Sequence, residues 1–213
     1  MSTVTIRTAT LADVPDLERW DEKPHVRAAT SNDGSVAFDA DWDDELAPRE
    51  DGTEFFVAEL DGVPIGMLQI IDPATERSHY WGEIETGLRA IDIWIGEENH
   101  LGQGHGTVTM RFAIERCFAS PEVHAIVIDP LSNNVRAHRF YRRFGFAFVE
   151  RRVFDDQSDC FVFRLERERW HAIADGERPV GATPSASAAP NRDAIESPEG
   201  SNDTGAADSA DST

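Results

Sequence analysis

Three kinds of residue in this chain have the type and spacing to do chemistry. Glycines stand at every second position in EENHLGQGHGTVTMRFAIERCF, at Gly102, Gly104 and Gly106, directly before an amphipathic run. An acid, Asp92, interrupts the apolar segment AIDIWIGE, and Tyr141 lies in the apolar stripe of NNVRAHRFYRRFGF. The glycines point to anion binding. The first amides of a helix lack intrahelical acceptors and carry the positive end of its dipole, and glycine lets such a backbone approach a phosphate closely. The loop has no closing Gly-Lys-Ser/Thr and no G-x-G-x-x-G spacing. Taken alone, it leaves a phosphate cradle and a flexible turn both open.

Asp92 must face water or a partner, because an isolated buried carboxylate is costly. An ordinary aspartate is too weak a base to deprotonate an ammonium directly. It could bind and orient an amine, with a water or a raised pKa completing the transfer. Asp129 ends HAIVIDP at the carboxyl end of a strand, where ligands of open α/β sheets bind. It could equally begin an Asp-Pro turn. For Tyr141 the alternative is a purely packing role in its helix.

The elements that position these residues read off the periodicity. TVTIRTA alternates like an edge strand, and TLADVPDLERW starts a helix with Thr10 as N-cap. DADWDDELAP fits a short second helix, and EFFVAELDGVPIGMLQIID a hairpin turning at Asp61-Gly62. AIDIWIGE is a strand, GTVTMRFAIERCFA a helix, and HAIVIDP a strand buried on both faces. NNVRAHRFYRRFGF is a helix with the stripe Ala137, Phe140, Tyr141 and Phe144, closed by Gly145. DCFVFRLER is a late strand with Phe161, Phe163 and Leu165 on one face. The order is β-α-α-β-β-β-α-β-α-β-β, a mixed α/β sheet.

Composition narrows the partners. The 213 residues carry a net charge of −20, and residues 171–213, with eight acids and two arginines, leave about −14 on the rest. Nucleic-acid binding needs a basic footprint that this chain lacks, and an anionic membrane is equally unattractive. Lys23 is the only lysine. An acidic, lysine-poor surface suits a high-salt cytoplasm, although GC-rich coding also depletes lysine. Cys117 and Cys160 lack metal spacing and read as reduced core residues, so no metal is expected. The first residues contain no signal-peptide h-region, and no run reaches membrane length. A cytoplasmic protein is expected, with a domain over 1–170 and a disordered acidic tail over 171–213, rich in Ala, Ser, Pro and Gly.

Two separated motifs, LGQGHGT and DPLSNNVRAHRFYRRFGF, resemble the GNAT superfamily of acetyl-CoA-dependent N-acetyltransferases. The first corresponds to its phosphate loop, Q/R-x-x-G-x-G/A, with Leu101 in place of the usual Gln or Arg. The second supplies Asn134, Arg136, Ala137, Tyr141, Gly145 and Phe146 at the family's positions. The resemblance implies a GNAT-type α/β fold: a mixed, mostly antiparallel sheet with a central splayed parallel strand pair and flanking helices. It implies acetyl-CoA as donor, held by Gly102, Gln103, Gly104, His105, Gly106 and Thr107 at the pyrophosphate. Ile93, Trp94 and Ile95 would pair with the pantetheine arm, and Asn134 and Ala137 would face the donor. Tyr141 would protonate the leaving thiolate, and an amide near Trp94 would polarise the carbonyl.

Within the superfamily, YWGEIETGLRAIDIWIGEENHLGQGHGT is most similar to the aminoglycoside 6'-N-acetyltransferases. That resemblance implies a small cationic amine as acceptor, with Trp81, Glu83, Asp92 and Asp129 binding it and Asp92 and Tyr141 catalytic. Siderophore-type N-hydroxylysine acyltransferases, which carry a histidine where this chain has Asp92, and protein N-terminal acetyltransferases are the neighbouring readings. A noncatalytic acyl-CoA-binding or interaction protein is the alternative of a different class. A monomer and a homodimer are both open.

Overall fold

The computed structural model describes residues 3–31 and 40–176. Seven strands form one sheet in the order β1-β2-β3-β4-β5-β7-β6. They are β1 (Val4–Thr8), β2 (Glu54–Leu60), β3 (Val63–Ile71), β4 (Leu88–Ile95), β5 (Ala125–Ile128), β6 (Ala147–Val153) and β7 (Asp159–Glu166). Every neighbouring pair is antiparallel except β4 and β5. The helices are α1 (Val14–Asp21), α2 (Pro24–Thr30), α3 (Trp42–Glu45), α4 (His105–Phe118), α5 (Val135–Arg142) and α6 (Arg167–Ala174).

The hairpin turns at Asp61-Gly62 as its sequence requires, both residues having positive φ. All four residues of β5 are buried, in line with its unbroken apolar run. Thr10 caps a single 3₁₀ turn, Leu11–Asp13, that leads into α1, and its amide and hydroxyl both donate to Asp13. Two helices, α2 and α6, are additional to those the sequence reading expects. Pro24 opens α2 at its first position, which proline tolerates because that amide has no partner there. The expected domain boundary at residue 170 falls inside α6. The rest of the expected tail, from residue 177 on, lies outside the described residues. Helix α6 docks because the Arg167 guanidinium binds the carbonyls of Phe118, the last residue of α4, and Val123, just before β5, each at 2.8 Å.

Side chains of successive strand residues point to opposite faces. On one face Leu68, Ile70, Ile91 and Phe163 pack with Met110, Ile114, Tyr141 and Trp170 of α4, α5 and α6. The opposite face carries two separate apolar clusters. One joins Leu17, Trp20, Trp42, Phe55 and Met67, with Trp94 against it. The other joins Trp81, Leu88, Ala90, Val127, Phe154 and Cys160. On β4, Asp92 falls between Ala90 of the second cluster and Trp94 beside the first. The cross-strand partner of Asp92 is Gln69. A polar gap therefore opens between two hydrophobic patches.

The parallel pair is short. Leu88, Ala90 and Arg89 pair with Ala125, Val127 and Ile126, and the pairing then stops. β4 runs five residues further, to Ile95, with β3 on one side only. The expected splay between the two parallel strands is present.

Candidate active site

The splay and the polar gap meet in one cavity of about 510 Å³. Residues from both faces of the sheet line it: Asp92 and Trp94 from the face of α1 and α3, and Ile91, Ile93 and Tyr141 from the face of α4 and α5. Its charge is lopsided. Seven carboxylates (Asp21, Glu45, Asp51, Glu76, Asp92, Asp129, Asp156) line it, against Arg49 and Arg77. Both arginines are committed, Arg49 to Glu45 at 2.9 Å and Arg77 to Asp44 and Glu45.

Asp92 has no hydrogen-bond donor among the described residues. Burial, and then the negative charge of Asp129, push its carboxyl up to about 7. It is therefore a far better base at neutral pH than an ordinary aspartate. Asp129 is raised too, to about 6, mainly by burial. It is held lower by the Tyr80 hydroxyl, which donates to its Oδ2 at 2.6 Å. Asp129 does precede Pro130, but its carboxylate also lines the cavity, so the binding reading keeps its geometry. Tyr141, on α5, is buried. Desolvation and then the charges of Asp92 and Asp129 raise its hydroxyl well above the usual phenol range. It keeps its proton at neutral pH, as a general acid must.

Trp81 is buried at the cavity wall, its ring edge-on to Phe154 at 5.4 Å. Asn134 lines the cavity and caps α5: its Oδ1 accepts from the Ala137 amide at 3.0 Å. That bond explains locally why an amide side chain precedes this helix. Ala137, Ile93 and Trp94 also line the cavity. Ile95 does not, and its carbonyl is bound by His25 of α2 at 2.9 Å. Glu83 is exposed and stands apart from the cavity lining, so the structure does not bring it to the other acids.

The glycine loop enters α4 as expected. Gly102 and Gly104 have φ of 75° and 92°, and Gly104 is the N-cap. Both are exposed, and a Cβ at either would meet no atom within 4 Å, so they serve the turn rather than tight packing. Gly106 does touch the other helix, since a Cβ there would lie 3.8 Å from Phe140 of α5. The Gln103 side chain folds back onto the Asn99 carbonyl, and the His105 ring sits 5.6 Å from that of His100. Thr107 is exposed on the first turn. Arg136, Arg139, Arg142 and Arg143, on and just after α5, are exposed, two of them lying over Phe163 and Phe140. Left-handed glycines, a helix start without a side-chain cap and a strand edge that β5 leaves after Ala90 together fit a pyrophosphate and the amide-bearing arm attached to it.

The sequence reading missed Tyr80, Glu76, Asp156 and Asp21. Tyr80 adjoins the expected Trp81, and that aromatic pair was its one available signal. Asp21 ends α1 and accepts from Trp42 Nε1 at 2.6 Å, with its other oxygen buried and unbonded. Burial raises its carboxyl to about 6.

Comparison with known proteins agrees with this geometry. The acetyltransferase (GNAT) domain family matches residues 9–154. The aminoglycoside N(6')-acetyltransferase type 1 of Klebsiella pneumoniae is 31% identical over 147 residues, covering 67% of this chain and 73% of that protein. The crystal structure of the aminoglycoside acetyltransferase AAC(6')-Ib with coenzyme A and kanamycin superposes with a TM-score of 0.69 at 27% identity, over 81% of this chain and 99% of that one. A spermidine N-acetyltransferase from Vibrio cholerae shares the fold, with a TM-score of 0.62 at 16% identity, over 79% of this chain and 98% of that one.

Proposed function

The chain belongs to the GNAT acetyltransferase family and is an acetyl-CoA-dependent N-acetyltransferase, and from that premise we propose that its acceptor is a small polycation of the aminoglycoside kind. The observation that carries this reading is the acid-lined cavity, in which Asp92 and Asp129 lie beside Trp81 and Tyr141. Such a surface attracts a polyammonium compound and offers it a flat apolar wall. The Klebsiella relative acts, by its name, on aminoglycosides.

Acetyl-CoA, when bound, supplies a thioester carbonyl for an amine to attack. The Gly104–Thr107 turn would hold its pyrophosphate, and the open edge of β4 near Ile93 its pantetheine. Asp129 holds the incoming ammonium, and Asp92 takes one proton from it. With Asp92 near 7 and a reference alkylammonium near 10.4, that transfer is uphill by about 4–5 kcal/mol, well within an enzymatic barrier. The new C–N bond forms as the C–S bond breaks. Tyr141 gives its proton to the leaving sulfur and recovers one from the acetylated nitrogen. An ammonium and a thioester thus become an amide, a thiol and one proton, which Asp92 releases to solvent.

The test is thiol release from acetyl-CoA by the full chain, at low and molar salt, with kanamycin, spermidine and N-hydroxylysine offered separately. Kanamycin turnover that is lost in Asp92→Asn supports the reading. Turnover of N-hydroxylysine alone moves the protein to the siderophore type, and turnover of none of them rejects the acceptor class.

A further inference from the structure

Two half-buried carboxylates that share a cavity do not both ionise cheaply, and the one with the better donors keeps the charge. We propose that Tyr80 is a positioning residue whose hydroxyl holds Asp129 as the anion of the Asp92–Asp129 pair, leaving Asp92 as the member that takes the proton. This rests on the acceptor reading above, in which the pair faces the amine.

The hydroxyl is fixed from several sides. It donates to Asp129 Oδ2 at 2.6 Å. The ring is stacked on Phe154, with centroids 4.3 Å apart and planes 10° apart, and Trp81 stands edge-on to both rings, 6.0 Å from Tyr80 and 5.4 Å from Phe154. The Tyr80 amide is bound by the buried Glu76 carboxylate at 2.6 Å, which the Ser78 amide and hydroxyl anchor in turn. The charged and titratable groups around Asp129 are Asp92 of β4, Tyr141 of α5, Arg152 of β6, Cys160 of β7 and Asp156 of the intervening turn. Among them Arg152 favours the Asp129 anion and Asp156 opposes it. Arg152 is itself engaged, donating to the Trp81 carbonyl at 2.9 Å and lying 4.6 Å from the Phe154 ring centre. Tyr80 alone gives Asp129 a side-chain hydrogen bond, and nothing comparable reaches Asp92 among the described residues.

Tyr80→Phe keeps the ring and its stack and removes only the donor. The dianionic pair then becomes harder to form, so the acid limb of kcat/KM moves up by about one pH unit, as loss of one bond to a charged group dictates. Activity falls about tenfold below the limb and rejoins the parent protein above it. A loss of equal size at every pH, or an unmoved limb, overturns the proposal. A readout independent of turnover is the ¹³C titration of the two aspartate carboxyls in the full chain. Tyr80→Phe should raise the Asp129 transition and lower that of Asp92, and an unchanged order of protonation overturns the proposal. In an Asp129→Asn background the same change should leave the Asp92 titration where it was, and any further shift there also overturns it. If the parent protein acetylates none of the acceptors, the acceptor reading fails, while the carboxyl titrations still decide the role of Tyr80.

Discussion

Replacing Asp92 by asparagine should make the protein more stable and less active at once. The side chain keeps its shape, and no hydrogen-bond donor among the described residues is left without its acceptor. What disappears is the cost of holding a charge in a desolvated site beside Asp129. The Asp92 carboxyl lies at about 7, against 3.8 for an unperturbed one. Three units at 1.36 kcal/mol each give about 4 kcal/mol, or about 2–4 once cavity water is allowed to screen the charge. The direction follows from proton binding. Between pH 4 and 7 the folded protein retains a proton that the unfolded chain has lost, so the parent protein loses stability as pH rises through this window. Asparagine does not titrate. The stability difference should therefore be near zero at pH 4 and reach its full value by pH 8, read as urea midpoints at constant m. Over the same range kcat/KM of the parent should climb to a plateau above pH 7, while the variant keeps only the lower Asp129 step and stays about 10²–10⁴-fold lower. A variant that gains no stability at pH 8 relative to pH 4 refutes the costly-burial argument. One that keeps the step near pH 7 refutes the assignment of Asp92 as base.

Three further outcomes follow from the same geometry. Tyr141→Phe should lower kcat by about 10–100-fold while leaving coenzyme A binding by calorimetry unchanged, because only the proton for the leaving sulfur is lost. Gly104→Ala places a side chain at φ 92° in open space, so it strains the turn by about 1–2 kcal/mol without a clash and should weaken coenzyme A binding by about tenfold. Arg167→Ala removes the guanidinium that binds the carbonyls of Phe118 and Val123, and should cost about 2–4 kcal/mol in chemical denaturation at unchanged m.

Much of the site is legible in the sequence because its parts are local. The glycine loop, the Asn134 cap and the acid inside an apolar strand each announce themselves within a few residues. The strands follow for the same reason: β5 has no polar residue to face water, and β4 has only Asp92 and the arginine at its paired end. What escapes is decided at long range. Tyr80 and Asp129 are 49 positions apart, and only the closing of the Glu76–Trp81 segment over β5 joins them. Asp21 resembles any acid at a helix end until Trp42 covers it. In a chain of charge −20, acids are so common that composition does not distinguish the inward-facing ones. Glu83, just after the buried Trp81, turns outward, while Glu76, just before it, turns inward.

The short parallel ladder has a mechanical consequence. β1 to β4 are joined to β5, β7 and β6 through only three residue pairs, Leu88–Ala90 with Ala125–Val127. Beyond that joint β4 continues, paired with β3, for five residues, or about 16 Å. A tilt of about 5° between the two halves of the sheet at that joint would displace Ile95 by about 1.4 Å, a shift of the size that costs about a hundredfold in rate when reacting groups are misaligned. Ala90 and Val127 are paired and buried at that joint, so a change in their volume would alter the angle at which donor and acceptor meet.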